Sequence, residues 1–581
     1  MRLFFILVTS LFIFAVFIKA SRSNKVKSPE ALQNELKAYK SKYATGCSPD
    51  LAAIDFSDIA NSIPLLSGWG SYRMQVTSTN DSANIYFQQG INMYYGFHII
   101  EALASFEKAI KFDENFAMGY WGKALAYGPN INDMGYTASP EALTAVKNAI
   151  ALNTSCTPLE KALMDAMSIR YNADTTQTRA HLNQLYADKM ETVMQSFPNS
   201  ADAATLYADA LMVKHPWDLY DSLYKPKPWT PKIVAVLEQV IKRFPNNPGA
   251  GHYYIHAVEG SAHPQKGLAI ANKLGAMMPG LSHLVHMPSH IYIRSGHYNK
   301  GIQVNELAVT DYNNYLDKFQ PVVNGSFLYL MHNQHMQIAC AMMDGQYNNA
   351  IKCSEKLNTK IDSSMLDSGG YFGVFSQYVF MSPQFIQLRF GKWDDVLKMP
   401  EVSALRVYAG ILSHFARGIA FAKTKQLGNA ENELSQLQQA LSNPQLKEAP
   451  PAFNPGIAGS FVAEKILQGV IAEEKNDLPT AIAFLKKAVK KEDGMLYGEP
   501  RDWLLPARHY LVAVLLKSQQ YKEAEEVCKE DLFVNPNNAW SLMGLKIAQE
   551  KQGKKSDAAI TMQGFKKSVA RADVRVSNVV F

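Results

Sequence analysis

Self-similarity at a period of 34 residues constrains this chain more than any other feature. A helix-turn-helix repeat of that length wants a small residue near place 8, an aromatic at 11 or 17, Ala at 20, an apolar residue at 24, Ala at 27 and Pro near 32. Residues 83–116 put Gly90, Ala102, Phe106 and Ala109 at places 8, 20, 24 and 27. Residues 462–495 repeat this with Gly469, Ala481, Leu485 and Ala488, and residues 505–538 set Tyr521 at 17, Ala524 at 20 and Pro536 at 32. Each unit carries an apolar face that only a stacked neighbour can cover. The expected fold is an all-α solenoid, which lets 581 residues avoid division into separate globular cores.

The same frame laid on the middle of the chain gives repeats at 248–281 and 282–315, then an insertion with Pro321 and Gly325, then a repeat beginning at 331. Place 5 is now His252, His286 and His335; place 9 is His256, His290 and Ala339; place 2 is Gly249, His283 and His332; place 12 of the first of these repeats is Glu259. Places 2, 5, 9 and 12 are three and four residues apart, so they share one helix face. Neighbouring helices pack roughly 8–10 Å apart, close enough for long side chains to converge. The spacing predicts six or seven imidazoles and a carboxylate on one wall.

Nine of the 14 histidines lie between 252 and 335. A lone histidine on a helix is usually structural, but histidines in phase across three repeats point to a shared ligand. Neutral imidazole binds zinc, copper and iron, and two His four apart on a helix aim at one point. The candidate metal ligands are His252, His256, Glu259, His286, His290, His332 and His335, with pairs on neighbouring helices suited to two ions. Glu259 is either a ligand or a general base on metal-activated water or dioxygen. His283 begins its helix and reads as a capping or supporting residue, while His98, His263 and His297 fall at turns and read as structural.

The rest of the chain adds limits. Net charge is only +6 and no basic stripe carries interleaved aromatics, which argues against nucleic acid. Arg2, an apolar run from Leu3 to Ile18 and Lys19-Ala20-Ser21 read as a secretory leader, too short for a spanning helix. That implies export to a periplasmic or extracellular space, with no stable membrane insertion after cleavage. Five scattered cysteines form no metal knuckle, though Cys340 and Cys353 are close enough in sequence to pair. Residues 215–231 contain four prolines and two tryptophans, so they form a loop that either covers the histidine face or packs on the next repeat. The organisation reads as leader 1–20, N-terminal cap 21–80, histidine-bearing repeats 81–360, connecting segment 361–403 and C-terminal repeats 404–581.

The pattern is similar to that of tetratricopeptide proteins, which implies a right-handed superhelix with the histidine face on its concave, ligand-binding surface. Beyond the generic repeat, the chain resembles a little-described family of bacterial tetratricopeptide proteins. The segments are Gln88–Phe97 (QQGINMYYGF), Trp121–Asn132 (WGKALAYGPNIN), Gly251–Glu259 (GHYYIHAVE), His283–Arg294 (HLVHMPSHIYIR), His332–His335 (HNQH) and Asp502–Arg508 (DWLLPAR). The resemblance carries no reaction with it. Three functions fit the sequence: a metal-dependent oxidative or hydrolytic enzyme, a scaffold binding a peptide, protein or small molecule in its groove, and a metal-handling protein.

Overall fold

The computed structural model describes residues 55–65, 67–132, 139–172, 177–318 and 323–581; the leader and Cys47 lie outside them. Helix follows helix, and among the described residues the only β feature is an isolated antiparallel bridge between Tyr220 and Pro226. Successive helices pack against each other, and in several repeats the first helix also touches the first helix of the next, as Val407–Lys423 does Gly456–Glu474 and Ala507–Lys517 does Ala539–Lys551, which is solenoid stacking. No described helix is long and apolar enough to cross a membrane.

The small-residue places of the repeat have a steric cause. A Cβ on Gly90 would come within 2.6 Å of the Phe106 ring, and one on Gly469 within 2.6 Å of Leu485. In both units, place 8 is small because the side chain at place 24 leans into it. The apolar residues between the helices form two large cores, one spanning Phe56 to Tyr315 and the other Tyr298 to Val579. Cys340 and Cys353 are buried there as free thiols.

Nine helices frame the histidines. They are α1 (Asp81–Tyr95), α2 (Ile99–Phe112), α3 (Pro248–Glu259), α4 (Leu268–Met277), α5 (Ser282–His286), α6 (Pro288–Arg294), α7 (Tyr298–Lys318), α8 (Val323–Asp344) and α9 (Tyr347–Asn358). Helix α3 starts at a preorganised cap: the Asn247 side chain accepts from the Ala250 N–H, and Pro248 occupies the first turn. Pro288 has no N–H to donate, so one long first helix becomes the short pieces α5 and α6. His286 and His290 stay on one side of that break. Residues 361–403 hold four short helices, at Ser363–Leu366, Gly370–Phe380, Ser382–Arg389 and Trp393–Lys398.

The C-terminal repeats fold back on the middle of the chain. Arg294 Nη1 donates to the Val534 carbonyl at 3.0 Å, Tyr298 Oη to that of Pro536 at 2.8 Å, and Trp540 Nε1 to that of Met342 at 3.1 Å. The Asp573 carboxylate accepts from the N–H groups of Tyr347 and Asn348. As a result the histidine face is an interior surface rather than the open groove wall that the superhelix implies. His252, His256, His283, His286 and His290 are all buried, and only His332 keeps appreciable exposure, at 19%.

Candidate metal centre

Two sets of three imidazoles converge by their ε-nitrogens. In the first, His252 Nε2 lies 3.1 Å from His256 Nε2 and 3.1 Å from His283 Nε2. In the second, His290 Nε2 lies 2.6 Å from His286 Nε2 and 3.3 Å from His332 Nε2. Each set brings its nitrogens within reach of a single ion. The sets adjoin: the ring centroids of His256 and His290 are 5.8 Å apart and those of His283 and His286 are 6.0 Å apart.

The opposite nitrogens are held by acceptors. His252 Nδ1 donates to the Tyr95 carbonyl at 2.6 Å, and His256 Nδ1 to Glu259 at 2.9 Å. His286 Nδ1 donates to Asn305 Oδ1 at 2.6 Å, and Asn305 is oriented for this because its own Nδ2 donates to the Gly301 carbonyl. His290 Nδ1 meets Glu259 at 2.5 Å and Glu499 at 3.0 Å. These acceptors require an N–H at Nδ1 in all four rings, so each neutral ring presents a bare lone pair at Nε2. Lone pairs 2.6–3.1 Å apart repel unless a cation lies between them. An ion bound at about 2.0–2.1 Å per nitrogen supplies one.

Electrostatics point the same way. Burial, reinforced by His256, holds His252 well below the usual imidazole range; burial and His252 do so for His283, and burial and His290 for His286. Burial lowers His256 to about 3, and burial with His290 lowers His332 to about 3. His290 is the exception. Burial pulls it down, but Glu499 and then Glu259 outweigh this and raise it to about 10. One proton thus serves as the cation of the second set when no metal is bound. Glu499 itself is raised by burial and by Glu259.

The repeat explains much of this arrangement. Place 2 of the α3 repeat is Gly249, not His, because the Tyr95 ring occupies the space of its Cβ. That close approach brings the Tyr95 carbonyl to His252. Phe97, in the α1–α2 turn, lies 4.4 Å from the His252 ring and stacks on His256 and His283 at 5.9 and 5.8 Å. From the Pro/Trp-rich loop, Trp217 packs edge-on against His256 at 5.3 Å, while Trp229 stacks on His215 at 3.8 Å within the loop. The loop therefore covers the histidine face. A cleft of about 30 Å³ bordered by Trp217, Leu219, His256, Glu259, Leu496 and Tyr497 lies beneath it.

Two sequence expectations are corrected, and a third takes a particular form. His335 joins neither set: it lies against Tyr378 and Phe375, 5.4 and 6.5 Å between ring centroids, with no protein partner on either nitrogen. The cause is the helical offset, because a residue three beyond His332 is turned aside and one level along α8. His283 sits inside the first set rather than beside it, with the Tyr329 ring 4.6 Å away. Glu259 spans His256 Nδ1 and His290 Nδ1 with its two oxygens, and with Glu499 these residues form a third group whose atoms are close enough to hold one ion, on the side of the rings away from the convergent ε-nitrogens.

Sequence reasoning missed Asn305, the Tyr95 carbonyl and Glu499. Glu499 belongs to no repeat place; it sits in the Gly498–Pro506 interruption, and that break in the period was its only signal. His98 caps α2 and donates from Nδ1 to Glu101 at 3.1 Å, whereas His263 and His297 are exposed at turns.

No family model matches the chain, and no curated protein does. Among solved structures it is similar to the human IFIT1 dimer with m7Gppp-AAAA, at 14% identity over 90% of this chain and 97% of that one, with a TM-score of 0.31. It is also similar to yeast Tom70, at 10% identity over 84% and 93% with a TM-score of 0.29, and to Cut9 in the APC/C hetero-tetramer Cut9–Hcn1, at 12% over 85% and 76% with 0.26. Likeness at this level says nothing about the histidines.

Proposed function

We propose that the chain is an exported metalloenzyme whose two histidine sets, His252/His256/His283 and His286/His290/His332, each hold one transition-metal ion. The observation that carries this reading is the outward pinning of four Nδ1–H groups, which turns the Nε2 atoms of His252, His256, His286 and His290 inward toward those of His283 and His332. An all-imidazole set suits zinc, copper or iron and disfavours magnesium, calcium and manganese, which prefer oxygen donors. Three protein ligands per ion leave a coordination position for substrate, as in catalytic rather than structural sites. Burial and a fixed outer shell favour a resident ion over one that is stored and passed on.

The test is the metal content of untagged full-length protein. Two ions per chain are expected, falling to one in either His256→Ala or His290→Ala. Metal-free protein that shows no gain in melting temperature with zinc, copper or iron would sink the reading. A partner-binding role, which the repeat fold also suits, has support from a different place: an open cavity of about 800 Å³ bordered by Arg73, Phe197, Asp202 and Arg243. Peptide binding there would persist in metal-free protein.

A further inference from the structure

We infer that the cleft between the connecting segment and the C-terminal repeats binds a primary alkylammonium ion, with Asp502 as its counterion. The site stands apart from both histidine sets and does not rest on the metal reading. Four aromatic rings border it, those of Tyr371, Phe375, Tyr378 and Tyr408; Asp502 is the one charged residue on its wall, Asn454 the one amide, and the rest is aliphatic, methionine, proline or glycine. Tyr371, Phe375 and Tyr378 are four and three residues apart, so a single face of the helix Gly370–Phe380 supplies three of the rings. Tyr408 comes from the first turn of Val407–Lys423, and Asn454 and Asp502 from the two interruptions of the repeat period at 454–459 and 498–506. Gly459 makes room for the fourth ring, because a Cβ there would collide with Tyr408 Oη.

The argument from charge is that Asp502 lacks a cation. Its Oδ2 accepts from Asn454 Nδ2 at 2.6 Å, and among the described residues no Lys, Arg or His forms an ion pair with it. Arg501, its neighbour in the chain, is committed elsewhere: it faces Glu492 at 3.6 Å and donates to the Tyr224 hydroxyl. Loss of water contact raises the Asp502 carboxyl to about 6, and the Asn454 hydrogen bond and the more distant Arg501 offset this only in part. The Tyr408 phenol is held neutral by burial and by Asp502, and its Oη has no hydrogen-bond partner among the described residues. A desolvated carboxylate short of a cation is costly, and electron-rich rings around it favour a positive charge over a negative one. Asp502 Oδ1 and Tyr408 Oη are the acceptors left over, and an ammonium brings three hydrogens to share between them.

Size narrows the cation. The cleft holds about 20 Å³. A water needs roughly 10–15 Å³ on such a measure. That space admits an ammonium head and the carbon next to it, and is too small for a guanidinium or a quaternary ammonium group. Tyr378 and Tyr408 are buried, whereas Tyr371 and Phe375 are only half-buried, so the latter two form the rim over which the alkyl stem leaves. A free alkylamine and the lysine side chain of a peptide present the same head and stem.

The experiment titrates n-butylammonium chloride into the full-length chain by calorimetry, with n-butanol as the neutral control and tetramethylammonium chloride as the bulky one. One butylammonium per chain is expected, with neither control competing. Asp502→Asn keeps an acceptor for Asn454 and removes the charge. It should retain the melting temperature and the metal content while weakening butylammonium binding at least about 10-fold, as loss of a charged hydrogen-bond partner does. If that variant does not fold, Tyr371→Leu at the rim should weaken binding about 3-fold. A short acetylated peptide with one lysine separates the sources: tighter binding than butylammonium assigns the site to a protein lysine, and weaker binding assigns it to a free amine. Equal binding of n-butanol, or no butylammonium binding at all, overturns the inference. So does binding undiminished in Asp502→Asn or, where that variant fails to fold, in Tyr371→Leu. Amines also ligate metals, so undiminished binding that disappears when metal is removed would put the amine on the ions, overturning this site while the metal reading stands.

Discussion

His252 and His509 occupy the same place in their repeats, and their surroundings have nothing else in common. His509 is satisfied on both sides: Nδ1 accepts from Arg389 at 2.9 Å and Nε2 donates to Asp531 at 3.0 Å. Asp531 in turn accepts from Ser541, Asn538 and Asn535 at 2.7, 2.9 and 3.0 Å. His252 has a partner only on its outer nitrogen, and its inner nitrogen faces two other imidazoles. A repeat register fixes where a ring sits on its helix. The groups packed opposite decide whether it closes a structural network or opens toward a ligand.

The contrast breaks most readily at Asp531. Burial opposes its ionisation, but His509 and the hydrogen bonds to the carboxylate hold it below the usual carboxylate range. Asp531→Ala strands His509 and Arg389 in the interior, and removing one partner of a buried ion pair costs roughly 3–5 kcal/mol. Urea denaturation should record that loss, while metal content stays unchanged. The pH dependence has a definite sign. A carboxyl with a depressed folded pKa binds fewer protons folded than unfolded, so its contribution is whole above roughly pH 4 and is lost as pH falls below that. The wild-type chain should lose stability on acidification in that window more steeply than Asp531→Ala. Equal slopes would mean that the His509 network is not the structural counterpart described here.

Glu259 sharpens the comparison from the other side. It is the only group among those resolved around the rings that hydrogen-bonds to both sets. Loss of an outer acceptor typically weakens metal binding about 10–100-fold. Glu259→Gln should therefore weaken both sites, as measured by competition with a chromophoric chelator. If only one site weakens, the two sets are not joined through this carboxylate.

How much of this was legible in the sequence follows from which interactions are local. The solenoid was legible because place 8 and place 24 meet within one repeat, as Gly90 and Phe106 do. His252, His256, His286 and His290 were legible because partners four apart on a helix need no knowledge of the tertiary fold. Burial of the histidine face was legible only in part: the loop bearing Trp217 offered itself as one possible cover, but the approach of Tyr497 and the docking of Val534 on Arg294 join segments far apart in the chain. Glu499 was hidden for the same reason: it lies outside every repeat, and only the return of the C-terminal half brings it to His290.

Asn305 offers a smaller and more selective effect. Its Oδ1 accepts from His286 alone among the six rings. Asn305→Ala should lower affinity about 10-fold, the low end for an outer-shell partner, and only at the second site. Two-step chelator curves would show one step moved and the other in place. Movement of both steps would indicate that the sets titrate as one unit.

The smallest effect is expected at His335, which shares place 5 with His252, His286 and His509 yet belongs to neither kind of environment. Burial lowers it to about 3, so the ring is neutral, and neither nitrogen has a protein partner between Tyr378 and Phe375. A buried polar group without a partner costs roughly 1–3 kcal/mol, and an apolar residue of similar shape is neutral or stabilising in its place. His335→Leu should leave metal stoichiometry and both affinities untouched and leave the melting temperature unchanged or slightly raised. Loss of an ion in this variant would place His335 in the centre after all, and the two-by-three arrangement would have to give way to one with a seventh ligand.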